Sequence, residues 1–269
     1  MLYKRVKKDY IFDKNNINKP NNMIDTIFNH RSIRKFKSDT IDDKLLDKIL
    51  LAGTKASTTG NMQTYSIVVS TDECLKKKLW EVHFKQDMIK QAPVVLTFCA
   101  DFNRFTKWCN QRNAKAGYDN FLSFYTASID ALLAAQNVAL AAEENGLGIC
   151  YVGTTIYNAE EIIDILRLPE LVFPVTTLVM GYPDENPPLT DRLPLEGIVH
   201  YEVYNDYKPE QIDKIYEEKE KNPLYKKFVE ENKKENLAQV FAEVRYKKED
   251  NEFFSKKLIK TIKDQKFLK

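Results

Sequence analysis

The chain has 269 residues, of which 43% are hydrophobic and 12% aromatic, so it is long enough for one large core or two small ones. A formal net charge of +2 gives no global field that would recruit nucleic acid or a membrane surface, and we expect neither partner. The four cysteines form no C-x-x-C pair, which predicts neither a metal site nor a disulfide framework. Neither a signal peptide nor a membrane-spanning run is recognisable, and we expect a cytoplasmic protein.

The N-terminal part of the sequence contains a basic cluster that follows a short helical pattern. Residues 1–20 are polar and rich in asparagine, which predicts an arm beside the folded core. Met23–Phe28 places its apolar residues on one helical face, and His30-Arg31-Ser32-Ile33-Arg34-Lys35-Phe36 comes directly after it. The imidazole, the guanidinium groups and the hydroxyl of this cluster can converge on one small anion, such as a phosphate monoester. On these residues alone, a solvated basic turn is an equally good interpretation.

Beyond this cluster, short strands alternate with helices. Apolar periodicity and caps predict helices over 42–53, 72–82, 101–112, 121–145 and 158–166, and from 209 onward. Strands are predicted over 66–69, 94–100, 149–153 and 175–181, with a possible last strand over 199–204. The run 94–100 is apolar throughout, which is typical of a central strand buried on both faces. The alanine-rich helix 121–145 is expected in the core or in a subunit interface.

Glycine-rich phosphate loops are absent from the sequence. No strand is followed by G-x-G-x-x-G, the pattern G-x-x-x-x-G-K-[ST] does not occur, and there are only 8 glycines. A doubly wound nucleotide-binding fold is therefore disfavoured. A phosphate ligand would have to be held by side chains, which the basic cluster at 30–36 offers.

Four stretches of the chain, in order, are similar to known sequence motifs. The segment His30–Phe36 is similar to H-R-S-I-R-x-F. The loop from Ser57 to Gln63 resembles S-S-S-x-x-x-Q, and Tyr151-Val152-Gly153 after Gly-Leu-Gly resembles G-L-G-x-x-Y-I-G-G. Leu189–Pro194 resembles L-K-P-R-L-P. Together, these motifs resemble those of the FMN-dependent nitroreductase family, in particular its NADPH-type oxygen-insensitive nitroreductase and flavin reductase branch.

The resemblance implies an α+β fold, with a small mixed or antiparallel central sheet surrounded by helices. It also implies an intertwined homodimer with two FMN sites at the interface. We therefore expect an N-terminal arm at 1–20, an FMN-binding core at 21–205 and a helical C-terminal extension at 206–269.

The resemblance also assigns roles to individual residues. His30, Ser32 and Arg192 would bind the FMN phosphate with support from Arg31, and Arg34 would lie at the pyrimidine edge of the flavin, where a positive charge favours its reduced, anionic form. The flavin ring, its ribityl chain and its polar edge would be contacted by Thr58, Thr59, Gly60, Asn61, Gln86, Tyr151 and Gly153. Taken singly, each of these residues has an ordinary structural interpretation, and His83 and His200 are interpreted as structural.

Two positions depart from the family pattern, and one assignment rests on composition. Thr190 replaces a lysine of L-K-P-R-L-P, and Thr154 replaces the second glycine of Y-I-G-G, so weaker or altered FMN binding is expected. In the C-terminal third, Arg245 is the only arginine after Arg192, and it is our candidate for the 2′-phosphate of NADPH.

The function implied is that of an FMN-dependent NAD(P)H oxidoreductase. NADPH or NADH would deliver hydride to flavin N5 and leave, after which a nitroaromatic, a quinone or free flavin would take the electrons in a ping-pong cycle. No protein side chain is expected to serve as a catalytic nucleophile or base. The alternatives are a flavin reductase of another electrophile, of the dehalogenating or enoate type, and a protein that stores or senses FMN without turnover.

Overall fold

The computed structural model describes residues 23–268, so the predicted N-terminal arm lies outside the described part of the chain. Four strands form one antiparallel sheet in the order β1-β2-β4-β3, and helices cover it. The strands are β1 (Tyr65–Ser70), β2 (Val94–Asp101), β3 (Gly148–Val152) and β4 (Val172–Gly181). The predicted α+β class with a small central sheet is therefore confirmed.

The helices agree with the predicted ones to within a few residues. Within residues 23–268 they are α1 (Met23–Phe28), α2 (Asp43–Gly53), α3 (Glu73–Val82), α4 (Met88–Gln91), α5 (Asn103–Gln111), α6 (Phe121–Glu144), α7 (Ala159–Leu166), α8 (Pro209–Lys221), α9 (Pro223–Glu231), α10 (Leu237–Gln239) and α11 (Lys248–Asp264). Single turns of 3₁₀-helix cover Thr59–Asn61, Gly153–Ile156 and Leu195–Gly197, and a π-helical stretch covers Val240–Arg245. No helix in this part of the chain is long and apolar enough to cross a membrane.

Helix α6 forms the centre of the core. One of its faces is buried and consists mainly of alanines, which pack against all four strands and α2. Alanine keeps the helix close to its neighbours because its side chain is small, and it also favours helix formation. Strand β2 is buried along its whole length, as its apolar sequence predicted.

Local sequence signals explain several of the element boundaries. Asp42 and Asp72 cap α2 and α3, because their carboxylates accept hydrogen bonds from the first backbone N–H groups. At Gly148 the chain comes so close to Ile33 that an added Cβ would lie 2.7 Å from that side chain. Only glycine permits this contact, which holds the segment after α1 against β3.

Two sequence predictions are wrong. The segment 199–204 alternates like a strand, but it forms none, because no neighbouring strand lies beside it in the described chain and its apolar side chains are exposed. The pattern Asn158-Ala159-Glu160-Glu161 predicts an N-cap at Asn158, but this residue lies at the N-terminus of α7 without capping it. Its amide donates to Val82 O and its Oδ1 accepts from Lys257 Nζ, so the side chain joins α3 and α11 instead.

His83 is buried at the end of α3, in keeping with its predicted structural role. Its Nδ1 lies 2.8 Å from Thr154 Oγ1, and burial lowers the pKa of the imidazole from 6.5 to about 4. Gln86 donates its amide hydrogens to His83 O and to the same Thr154 hydroxyl. Because that hydroxyl already accepts from Gln86, it is free to donate to Nδ1 of the neutral imidazole.

We predict that protonation of His83 destabilises the protein in acid. Because the folded-state pKa is depressed, this contribution to stability is complete above about pH 6.5 and is lost as the pH falls toward 4. Between pH 7 and pH 5, the wild type should lose about 2 kcal/mol more unfolding free energy than His83→Gln, which cannot titrate. Urea titrations at both pH values measure this difference, and equal losses in the two proteins would contradict the prediction.

Candidate functional site

The first group of predicted site residues lies where the segment after α1 runs beside β3. We call this group the β3 cluster, and it consists of His30, Arg31, Ser32, Arg34, Tyr151 and Gly153. Ser32 forms a parallel bridge with Ile149, and the Ile33 N–H donates to Ile149 O at 2.8 Å. Burial raises the pKa of the Cys150 thiol, whereas the charge of Arg34 and a hydrogen bond with Ser32 lower it, so both side chains lie close to this thiol.

His30 is held by a carboxylate of α6. Its Nδ1 lies 2.7 Å from Glu143 Oε1, and 31% of the His30 side chain is exposed, against 12% of Glu143. Burial raises the pKa of Tyr151, and the charge of Glu143 adds to this rise, which places the carboxylate near both residues. The adjacent Glu144 instead accepts a hydrogen bond from Thr26 of α1.

Both arginines of the cluster lie beside the segment that follows β4. Arg31 Nη1 donates to Asn186 Oδ1 at 2.6 Å and to Pro187 O at 3.3 Å. The backbone N–H of Arg34 donates to Glu185 Oε1 at 2.5 Å, and Arg34 as a whole is exposed. Within residues 23–268, neither guanidinium forms an ion pair with a carboxylate. The cluster therefore carries positive charge that is available to an anion.

Gly153 provides an open backbone face beside these cations. A Cβ added at this position would meet no atom within 4 Å. The hydroxyl of the next residue, Thr154, bonds to His83 and Gln86 as described above. The departure from glycine at 154 thus anchors the amide of Gln86 at the border of the cluster, and the space over Gly153 stays open.

The predicted loop Thr58–Asn61 is held by a second carboxylate of α6. Asp130 is 1% exposed, and it accepts hydrogen bonds from the backbone N–H and the hydroxyl of both Thr59 and Thr64. Gly60 and Asn61 both have φ of +55°, in the left-handed region. One buried acid thereby fixes a strained, exposed turn.

Within one chain, this loop and the β3 cluster lie at opposite edges of the sheet. Tyr65 begins β1 directly after the loop, and Val152 ends β3 directly before Gly153. The strand register places Tyr65 in line with Phe173 of β4, whereas Val152 pairs with Thr177, four residues further along. At about 3.3 Å per residue and about 4.8 Å per strand, these two strand ends are about 20 Å apart. One copy of the chain does not bring the two groups together.

Arg192 and Arg245 lie outside the β3 cluster. Arg192 Nη1 donates to Thr190 Oγ1 at 2.5 Å and to two backbone oxygens of its own segment, and within residues 23–268 it forms no hydrogen bond with residues 30–34. Lys219 and Tyr225 fix this segment by binding Asp191. The assignment of Arg192 to the phosphate therefore stays a prediction.

Arg245 packs among aromatic rings of the C-terminal region. Its guanidinium carbon lies 4.4 Å from the ring centre of Phe228 and 6.0 Å from that of Phe241. The ring of Tyr246 is parallel to Phe241 within 19°. Arg245 is exposed despite these contacts, and its role toward NADPH stays a prediction.

Three important residues were missed at the sequence level: Asp130, Glu143 and Glu185. Asp130 lies on the alanine face of α6, where an acid needs several donors to be tolerated. Glu143 lies in the last turn of α6, where the helix dipole disfavours a negative charge, so its presence signals a nearby partner. Glu185 has no comparable signal in the sequence.

Known proteins with similar sequences identify the family of this chain. A model of the Nitroreductase family matches residues 27–182. The chain is 33% identical over 187 residues to "FMN reductase (NADPH)" of Bacillus subtilis, covering 69% of this chain and 75% of that protein. It is 35% identical over 186 residues to "Oxygen-insensitive NADPH nitroreductase" of Salmonella typhimurium, with coverages of 69% and 75%.

A solved structure extends the similarity into the C-terminal region. A protein from Bacteroides fragilis, known from a crystal structure, is 54% identical to this chain and superimposes with a TM-score of 0.90. The match covers 91% of this chain and 100% of that one. The similarity predicted from four motifs is therefore confirmed, and the chain belongs to the nitroreductase family.

Proposed function

We propose that this protein is an FMN-dependent NAD(P)H oxidoreductase that reduces nitroaromatics, quinones or free flavin. The observation that carries the proposal is the β3 cluster: the guanidinium groups of Arg31 and Arg34 form no ion pair with a carboxylate of the described residues, and they belong to the segment that runs beside β3, the strand that leads into the open backbone face of Gly153. The names of the two relatives, an FMN reductase that uses NADPH and an NADPH nitroreductase, support the same chemistry.

The residues of the cluster fit the two ends of FMN. At one end, the hydroxyl of Ser32 and the guanidinium groups of Arg31 and Arg34 suit a dianionic phosphate and the electron-rich pyrimidine edge of a flavin. At the other end, a planar ring can lie against Gly153, because no side chain fills that space. When bound, FMN supplies hydride transfer at its N5, and donor and acceptor use it in turn.

Residues of this chain bind and orient the cofactor in this proposal. Arg34 stabilises negative charge, because the guanidinium of this exposed residue is not neutralised by a carboxylate in the described chain. Thr154 fixes the amide of Gln86, so that this side chain is already ordered when a ligand arrives. No residue of the cluster is required as a nucleophile or base.

We further propose a homodimer in which each site combines the β3 cluster of one copy with the Thr58–Asn61 loop of the other. The distance of about 20 Å between these groups within one chain favours this arrangement. Helix α6 provides a surface for it, since apolar side chains stand exposed on its face opposite the core: Leu122, Tyr125, Ile129, Leu132 and Leu133. A contiguous apolar face of this kind is typical of a subunit interface.

Anaerobic reduction of the purified protein, loaded with FMN, tests the proposed function. We expect a yellow protein whose flavin absorbance is bleached by NADPH in a stopped-flow mixing experiment and restored by a quinone or a nitroaromatic. NADH should be compared in parallel. FMN that is bound but never reduced would favour a storage or sensing protein, and a chain that binds no FMN would contradict the proposal.

We predict that Arg245→Ala weakens the use of NADPH selectively. If this guanidinium binds the 2′-phosphate, its loss should raise the Michaelis constant for NADPH by about tenfold and leave that for NADH unchanged. Lys248→Ala is a matched control, since Lys248 is a nearby cation that already pairs with Glu252 at 3.8 Å. Equal use of both donors by the wild type, or equal effects of Arg245→Ala on both, would contradict the assignment.

A further inference from the structure

The contact between His30 and Glu143 has a consequence for proton binding. A carboxylate accepts hydrogen bonds and donates none, so at the observed 2.7 Å the hydrogen must lie on Nδ1 of His30. A neutral imidazole with its hydrogen on Nδ1 presents only a lone pair at Nε2, which repels a phosphate oxygen. The imidazolium alone donates from both nitrogens.

We infer that Glu143 is a positioning residue for the phosphate of FMN: it orients His30 so that cofactor binding takes up a proton from solvent at Nε2. This inference rests on the proposed function and assigns a new role to a residue outside the predicted site. The added proton converts His30 to an imidazolium, which then lies between two anions, the carboxylate of Glu143 and the phosphate.

The location of Glu143 supports a cationic partner. Glu143 lies in the last turn of α6, where the unsatisfied carbonyls already create negative potential, and only 12% of its side chain is exposed. A carboxylate in this position gains stabilisation when His30 takes up the added proton. The phosphate would add a further negative charge nearby, and the imidazolium reduces the repulsion between the two anions.

Other charged and titratable groups near this pair have different partners. On α6, Glu144 accepts from Thr26, and on α2, Lys48 donates to Asn145 just after the helix. Arg31, in the same segment as His30, binds the loop at 186–187. Tyr151 of β3 faces Glu143, and its raised pKa keeps the phenol neutral throughout the range tested below.

Titrating the full chain, freed of flavin, with FMN between pH 7.5 and 8.5 tests the inference. The FMN phosphate is already dianionic in this range, since its second pKa is near 6. We expect the wild-type affinity to fall by about tenfold across this interval, because binding requires a proton that becomes scarcer. Calorimetry in two buffers of different ionisation enthalpy should show uptake of roughly one proton per FMN bound.

Glu143→Gln should abolish this pH dependence. A glutamine amide can donate to Nδ1, which leaves the hydrogen of a neutral imidazole on Nε2, facing the phosphate. The affinity of the variant should then differ by less than about twofold between the two pH values. Glu144→Gln makes the same charge change one residue away, and it should keep the wild-type dependence. Riboflavin, which has no phosphate, should bind all three proteins independently of pH.

The outcomes separate this inference from the proposed function. FMN binding by the wild type without proton uptake, or equal pH dependence in Glu143→Gln and the wild type, would overturn the role of Glu143 and leave the flavoenzyme proposal intact. Failure of both FMN and riboflavin to bind at every pH would overturn both. The wild-type calorimetry decides the question even if Glu143→Gln does not fold, and circular dichroism checks the folding of the variants.

Discussion

The close packing of α6 against the sheet is the constraint on which the rest of the structure depends. Its alanine face allows the helix to lie directly on the strands, so the helix axis is fixed relative to all four of them. Two carboxylates on this rigid element then fix two remote segments. Asp130 holds the turn at Thr58–Asn61, and Glu143 holds His30 beside β3.

Both carboxylates lie where a negative charge is unfavourable, and the groups that donate hydrogen bonds to them offset this unfavourable free energy. Asp130 is almost fully buried, and an ionised acid there would be strongly destabilising without its four hydrogen bonds. The negative charge of Glu143 lies near the C-terminal end of its own helix, where the helix dipole disfavours it. These hydrogen bonds hold the turn at Thr58–Asn61 and His30 in place. A binding site on such a rigid frame loses less conformational entropy when its ligand binds.

Sheet order separates the two groups of predicted site residues. With the order β1-β2-β4-β3, the segments before β1 and after β3 emerge at opposite edges, about 20 Å apart. The outer face of α6 carries exposed apolar side chains from Leu122 to Leu133. In the proposed homodimer, a second copy packed on this face would bury these side chains and supply the other half of each site.

The sequence predicted most elements, because their signals are local. The apolar run of β2, the alanines of α6 and the cap at Asp42 each specify an element without reference to distant residues. The alternating pattern at 199–204 predicted a strand that does not form. A strand needs another strand beside it, and the sequence of a short segment does not encode that neighbour. The separation of the loop 58–61 from Gly153 likewise follows from strand order, which no local pattern encodes.

The resemblance supplied the candidate site residues as a set, whereas the contacts that hold them could not be predicted from the sequence. Four motifs were sufficient to recognise the family, which the match over residues 27–182 confirms. The hydroxyl of Thr154, where the departure from glycine predicted weaker or altered FMN binding, binds His83 and Gln86, and the effect on FMN binding stays a prediction. Asp130 and Glu143 were overlooked because an acid in an alanine-rich helix resembles an ordinary solvated residue until its donors are known.

A mixed dimer tests most directly whether the cofactor site is shared between two copies. Gly153→Phe should block the ring face in one chain, and Asn61→Trp, at an exposed position, should block the loop in the other. Co-expression with two affinity tags allows the mixed pair to be purified and its bound FMN to be measured by absorbance.

If each site uses both copies, one site of the mixed pair carries both substitutions and the other carries none. The mixed pair should therefore bind about half as much FMN per chain as the wild type, whereas dimers of either variant alone should bind almost none. A mixed pair without FMN, or a failure of the two tagged chains to purify together, would contradict a site built from two copies of this chain.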